Sequence, residues 1–137
     1  MTVLDSTAAA FYTTLTGGTA LTALLAGTAS VYHQQAPDGA AFDYVVYNHQ
    51  GGGPDLITSA DMESNLWQVR FFSTTSSKTA AQGFTQVDAL LHKKNIAISG
   101  VTTFWCAREQ NIVLVENPPD SQKVYSVGGL YRVRTTS

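Results

Sequence analysis

The chain has 137 residues, of which 44% are hydrophobic and only 13% charged, with a formal net charge of −2 and a pI near 5.8. These values argue against electrostatic nucleic-acid binding as the main task, which needs clustered Lys and Arg. They also exclude a membrane-spanning helix, since no run of about 18 apolar residues occurs, and an internal disulfide, since Cys106 is the single cysteine. A lone cysteine points to a reducing compartment. The absence of a basic n-region before Asp5 speaks against a secretory signal. The length suits one domain, 1–137, able to bury roughly 68% of the surface its unfolded form exposes, so it needs no metal or disulfide to fold. Charged groups make up about 25% of an ordinary chain, so this surface must be covered by Thr, Ser, Gln, Asn and Gly or lie against partners.

In chain order, Ser6 to Leu15 sets Ala8, Phe11, Tyr12 and Leu15 on one helical stripe, with Asp5 or Ser6 as its cap and Gly17-Gly18 as its stop. Thr19 caps a second, shorter helix carrying Leu21, Leu24 and Leu25, stopped by Gly27. Two such short helices are unstable alone and must dock on a sheet. Val31 to His33 reads as a brief strand and Pro37-Asp38-Gly39 as a turn. Asp43 to His49 is a strongly β-forming strand with apolar residues on both faces, which predicts that both faces are covered, by helix or by another subunit. Gly51-Gly52-Gly53-Pro54 is expected to open a flexible polar loop running through Asp55 to about Asp61. Glu63 to Ser73 alternates, with Trp67, Val69 and Phe71 on one face and Leu66, Gln68, Arg70 and Phe72 on the other. Ser77 opens the longest helix, striped by Ala80, Phe84, Val87 and Leu91, with Lys93-Lys94 complementing the negative pole of its dipole. Three strands follow, Val101 to Arg108, Ile112 to Glu116 and Val124 to Arg134, the first two joined by a hairpin at Glu109-Gln110-Asn111. The predicted order is α, α, β, β, β, α, β, β, β. Short connections imply antiparallel pairing, so the fold class is α+β: a mostly antiparallel β-sheet with helices packed on one face.

The residues with chemical potential form no recognisable catalytic set. His33, His49 and His92 lack the spacing of a helical zinc site, although His33 and His49 could approach on neighbouring strands with Asp43 or Asp61 nearby. Cys106 stands among apolar strand residues, as a buried structural thiol does, and lacks the electropositive setting a nucleophile needs. The three glycines lack the Lys-Ser/Thr of a phosphate loop, the serines sit in no nucleophile elbow, and Asp61 and Glu63 read as a solvated pair at a strand entrance. Arg70, Arg108, Arg132 and Arg134 all belong to strands and are expected to gather on one sheet face, either its solvent side or a weak anion-binding surface.

The helix pair ending in "ALTALL" and Gly27, followed by "VYHQQAP" and "FDYVVYN", then "SNLWQVRFFS", "KTAAQGFTQVDALLHKK" and "GGLYRVRT", resembles the tail-terminator, or tail-completion, family of long-tailed phages. The resemblance covers nearly the whole chain in order. It implies a small α+β virion protein with no enzymatic activity, cofactor or metal. Such a subunit forms a homo-oligomeric ring, by this resemblance a hexamer, at the head-proximal end of the tail tube, and is assembled in the host cytoplasm. There it ends tube polymerisation and joins tail to head connector, so its partners are its own copies, the tail tube protein and the connector, with non-specific passage of DNA and no membrane. Within that reading, the loop Gly51, Gly52, Gly53, Pro54, Asp55 to Asp61 is expected to reach a neighbouring ring or the tube, while Arg70, Arg132 and Arg134 become lumen or interface charges. Two alternatives stay open: a head-completion or neck subunit (stopper or adaptor), and a small ligand-binding α+β domain using His33, His49 and Tyr44–Tyr47 as a pocket.

Overall fold

The computed structural model describes residues 3–27, 29–55, 62–116 and 123–136. Three helices, α1 (Val3–Thr16), α2 (Thr19–Thr22) and α3 (Ser77–Leu91), accompany five strands: β1 (Val31–His33), β2 (Tyr44–Asp55), β3 (Met62–Ser73), β4 (Thr102–Glu116) and β5 (Val124–Thr136). The strands form one sheet in the order β1-β2-β3-β5-β4. Only β1 runs parallel to its neighbour; every other pair is antiparallel. The fold class is α+β, as the alternation of the strands and the grouping of helical stripes imply.

The helices pack on one face, here called inner, where one apolar core unites them with the sheet. Phe11 and Leu15 of α1, Leu21 of α2, and Ala80, Val87 and Leu91 of α3 meet Val45, Trp67, Val69, Phe71 and Tyr131, all essentially without solvent contact. Alternation along β3 decides this packing, since Asn65, Trp67, Val69, Phe71 and Ser73 are buried and their neighbours are only half so. Gly83 lets α3 approach, because a Cβ there would run into the ring of Phe71. Gly128 serves the sheet in the same way, for its Cβ would strike the carbonyl oxygen of Val69. Ser76 caps α3, its hydroxyl accepting from the N–H of Thr79 at 3.1 Å.

Several sequence expectations are corrected. α1 begins at Val3, so Asp5 and Ser6 lie inside its first turn instead of capping it, and Tyr12 points outward while Ser6, Thr7 and Ala10 complete the buried face. α2 has four residues and is capped by Gly18, with Thr19 its first member. It tightens into bonds from Leu24 to Leu21 and from Leu25 to Thr22, which turn Leu24 out to 44% exposure. Lys93 and Lys94 lie beyond the last turn of α3. Lys93 takes the left-handed conformation (φ 58°), which reverses the chain and brings Lys94 to Cys106. The hairpin expected at Glu109-Gln110-Asn111 does not exist. β4 runs unbroken for 15 residues and absorbs the polar triplet as a bulge between Arg108 and Gln110. Asp61 and Pro118-Pro119 lie outside the described residues.

Candidate assembly surface

The sheet divides the sequence-predicted residues between its two faces and its edges. Gly51 to Asp55 are not loop but the end of β2, paired with Leu66 to Met62 of β3. Gly52 sits just past the bulge that follows His49 with φ 115°, and a Cβ there would collide with the carbonyl oxygen of Ser64. Glycine is thus needed for a kinked strand, not for mobility. Pro54 is tolerated because β1 pairs only with Val45 to Tyr47, so beyond that point β2 is bonded to β3 alone.

Arg70, Arg132 and Arg134 occupy the outer face. Two are neutralised within the chain. Arg132 makes a fork to Glu109 (2.9 and 3.1 Å) and donates to Ser64 at 3.0 Å. Arg70 donates to Ser126 at 2.7 Å, approaches Glu116 at 3.5 Å and lies 4.6 Å over the ring of Phe72. Arg134 is exposed and has no ion pair among the described residues. Arg108 departs from the expected group. It turns to the inner side and meets Asp88 of α3 at 2.8 Å. Asp88 also accepts from the hydroxyl of Tyr131 at 2.8 Å, and burial with this bond holds the phenol above its ordinary range.

The outer face also carries a row of aromatic rings that spacing alone did not reveal. Tyr32 meets Tyr44 edge-on (5.7 Å between centroids), Phe42 stacks on Tyr44 (4.8 Å), and Tyr44 meets Phe72 (5.2 Å). Gln34, Gln35, Asn48, Gln68 and Arg70 rim the shallow concavity beside this row. The helices do not reach this side, so they cover β2 on its inner face alone.

The histidines do not converge on a site. His33 stacks on Tyr47 (5.1 Å) and His49 meets Trp67 edge-on (5.4 Å) while its Nε2 lies 3.0 Å from Asn65 Oδ1. Both therefore close the inner face, opposite Tyr44, and the pocket imagined from His33, His49 and Tyr44–Tyr47 is split by the sheet. His92 Nδ1 accepts from the backbone N–H of Arg108 at 3.0 Å. Among the described residues no group of three His, Cys, Asp or Glu side chains could hold a metal ion. Cys106 is fully buried, and burial, with the Asp88 carboxylate adding, pushes its thiol up to about 12. No helix among the described residues is long and apolar enough to cross a membrane.

The most exposed apolar side chains cluster on β4. Val113, Leu114 and Val115 are 61%, 46% and 54% accessible. A run of four apolar residues without alternation, Ile112 to Val115, signals a strand with apolar surroundings on both faces. Only the strand order shows that this one is an edge.

Known proteins resemble this chain in sequence and in fold. The profile described as "Tail completion protein gp17" matches residues 9–128. The chain belongs to that tail completion family. As a member it is a structural protein of the phage tail, part of the virion. A chain of the virion of a native gene transfer agent particle shares the fold with a TM-score of 0.73, at 16% identity over 94% of this chain and 93% of that one. A second solved chain matches with a TM-score of 0.58, at 15% identity over 97% and 94% of the two chains. A search of curated proteins gave no match. The family's role fits a chain whose polar clusters are internal ties, since Arg70, Arg108 and Arg132 are each paired with a carboxylate of the same chain.

Proposed function

We propose that this tail completion protein acts as a single unit, residues 1–137, which forms a terminator ring at the head-proximal end of the tail tube. There it stops tube growth and offers a seat to the head connector, without catalysing a reaction or holding a cofactor. The observation that carries this reading is the combination of family membership with a sheet that has an exposed apolar edge strand and a partly covered aromatic outer face. A ring is a closed heterologous assembly, in which one patch meets a different patch on the next copy. Six copies are the stoichiometry suggested by the family resemblance. The end of β2, Gly51 to Asp55, is paired with β3 and extends past β1, and as an ordered strand it suits docking to the tube or to a neighbouring ring better than a free loop would. Arg134 is the outer-face arginine left for DNA passing through the lumen. Such a contact would be sequence-independent and weakened by salt.

The test is tail length. Tails assembled without this protein should grow to scattered lengths and fail to join heads, and adding the purified protein during assembly should restore a uniform length in electron micrographs. Uniform tails in its absence would sink the terminator reading.

A further inference from the structure

We propose that the free protein, before it enters a tail, is a twofold dimer in which the open half of β4 pairs antiparallel with the same strand of a second copy, Val113 opposite Val113 across the axis. This goes beyond the ring reading and does not depend on it.

The two halves of β4 differ in what they leave free. The first half is sealed by the segment after α3: Lys94 N donates to Cys106 O (3.3 Å), Cys106 N donates to Lys94 O (3.1 Å), and Arg108 N donates to His92 Nδ1 (3.0 Å). From Gln110 to Glu116 the strand has no partner on that side among the described residues. Every residue of this half except Ile112 is exposed, main chain included. The half also lacks the devices that blunt an edge. It holds no proline and no lysine, the bulge lies before it, and it displays Val113, Leu114 and Val115.

The far side of the sheet offers no strand to meet it. Val31 of β1 is 2% exposed, and the His33 carbonyl already accepts from Gln35 N. Beyond β1, one side of β2 is bare. Val45 N and Tyr47 O face β1, and the bulge after His49 shifts the alternation by one, so the outward residues there are Gly52 and Pro54. The strand is kinked at the first, and the second has no N–H. The one open and unblunted edge among the described residues is therefore β4, and a second copy meets it with the same strand. Copies that share one patch are related by a twofold axis. Here the axis stands perpendicular to the sheet, so the two strands run antiparallel and the two inner faces stay on one side.

Main-chain alternation and the two ends of the open half set the register. Cys106 and Arg108 turn their main-chain groups away from β5. The extra residue at the bulge shifts the alternation, so Asn111, Val113 and Val115 turn theirs outward. An axis through Val113 sets these residues opposite Val115, Val113 and Asn111 of the second copy, and each pair exchanges two main-chain hydrogen bonds. The boundaries agree. Past Gln110 the second copy's strand would have to run on beyond residue 117 against an edge that His92 already holds, and residues 118 and 119 are prolines with no N–H to offer. The side chains agree as well. On the outer face Ile112 meets Leu114 and Gln110 meets Glu116, so no like charges are opposed. The overlap from Gln110 to Glu116 is roughly 20 Å long at about 3.4 Å per residue. So narrow a contact falls short of the roughly 1,200 Å² of a stable complex. The pair therefore separates on dilution, and it shelters Val113, Leu114 and Val115 until the subunit enters the virion.

Sedimentation velocity over a concentration series reads the state of the purified chain. Its mass should rise from one copy to two, and no further, towards millimolar protein. Val113→Lys opposes two ammonium groups across the axis, so it should stay monomeric throughout. Its circular dichroism spectrum should be unchanged, because Val113 is 61% exposed in the monomer. Val113→Pro, which removes only an outward N–H, should do likewise. Cross-linking reads the register. In a Cys106→Ala background, Val113→Cys should give a disulfide-linked dimer on oxidation, because directly opposed hydrogen-bonded residues stand about 5.5 Å apart at Cα, within disulfide range. Asn111→Cys and Val115→Cys should each give none alone and a linked dimer when the two variants are mixed. A wild-type chain that stays monomeric or grows beyond two copies, a dimer that survives Val113→Lys, or a dimer linked through Asn111→Cys alone would overturn the proposal. None of these outcomes bears on the ring, which tail length tests separately.

Discussion

Phe71 and Phe72 are chemically identical neighbours on β3 with opposite fates. Phe71 has no solvent contact and lies beneath Gly83 of α3. Phe72 stands on the outer face between Tyr44 and the guanidinium of Arg70, with no helix above it. The inner face is thus finished within one chain, whereas the outer face is a partly covered aromatic surface tied by ion pairs. The contrast separates what stabilises the monomer from what remains available to a virion neighbour.

The sharpest way to break that contrast is to truncate both rings. Phe71→Ala should cost about 3–5 kcal/mol of folding stability, the usual loss for a buried aromatic. Phe72→Ala should cost no more than about 1.5 kcal/mol, the worth of an aromatic pair. Urea unfolding measures both, and equal losses would mean that the outer face belongs to the monomer's core after all. Gly83→Ala comes next, at about 1–3 kcal/mol, because the added methyl meets the fully buried ring of Phe71. A neutral result would show that α3 can slide over the sheet.

Alkaline titration probes the same inner face. The Cys106 thiol is raised from 9.0 to about 12 by burial. The unfolded chain therefore releases this proton first, and the stability that the buried thiol contributes is complete below pH 9 and is lost as pH rises towards 12. Tyr47, raised to about 12, acts with the same sign. Cys106→Ala should flatten the fall of the unfolding free energy between these limits; an unchanged slope would show that the thiol is not shielded. Tyr131→Phe should cost about 0.5–1.5 kcal/mol, since Asp88 loses one hydrogen bond but keeps Arg108. The smallest effect belongs to the outer face. Arg132→Ala, which breaks the fork to the half-exposed Glu109, should change stability by about 0–1 kcal/mol.

Much of the inner face was legible from periodicity. The stripe Ala80, Phe84, Val87, Leu91 and the alternation Trp67, Val69, Phe71 each name buried residues, because a helix or strand with one apolar side has only one way to hide it. Tyr12 and Leu24 were misplaced because their stripe is wider than the sheet that α1 and α2 actually cover. Gly51–Pro54 and Glu109–Asn111 misled for a common reason. Glycine and polar triplets signal turns in an isolated strand, but a strand held by its partner can take them as bulges and continue. Of the residues expected to mediate assembly, Arg70, Arg132 and Arg134 do share a face, yet the pairing of two of them with Glu116 and Glu109 depends on strands far apart in sequence.

By itself, the sequence determined the fold class, much of the core and the resemblance to the tail-completion family, because these follow from local periods and from the order of elements. The tertiary structure alone decided that β4 is an edge and that its first half is sealed by Lys94 and His92. Main-chain hydrogen bonds are indifferent to side-chain identity. Which of them remain unpaired is written only in how the strands are ordered.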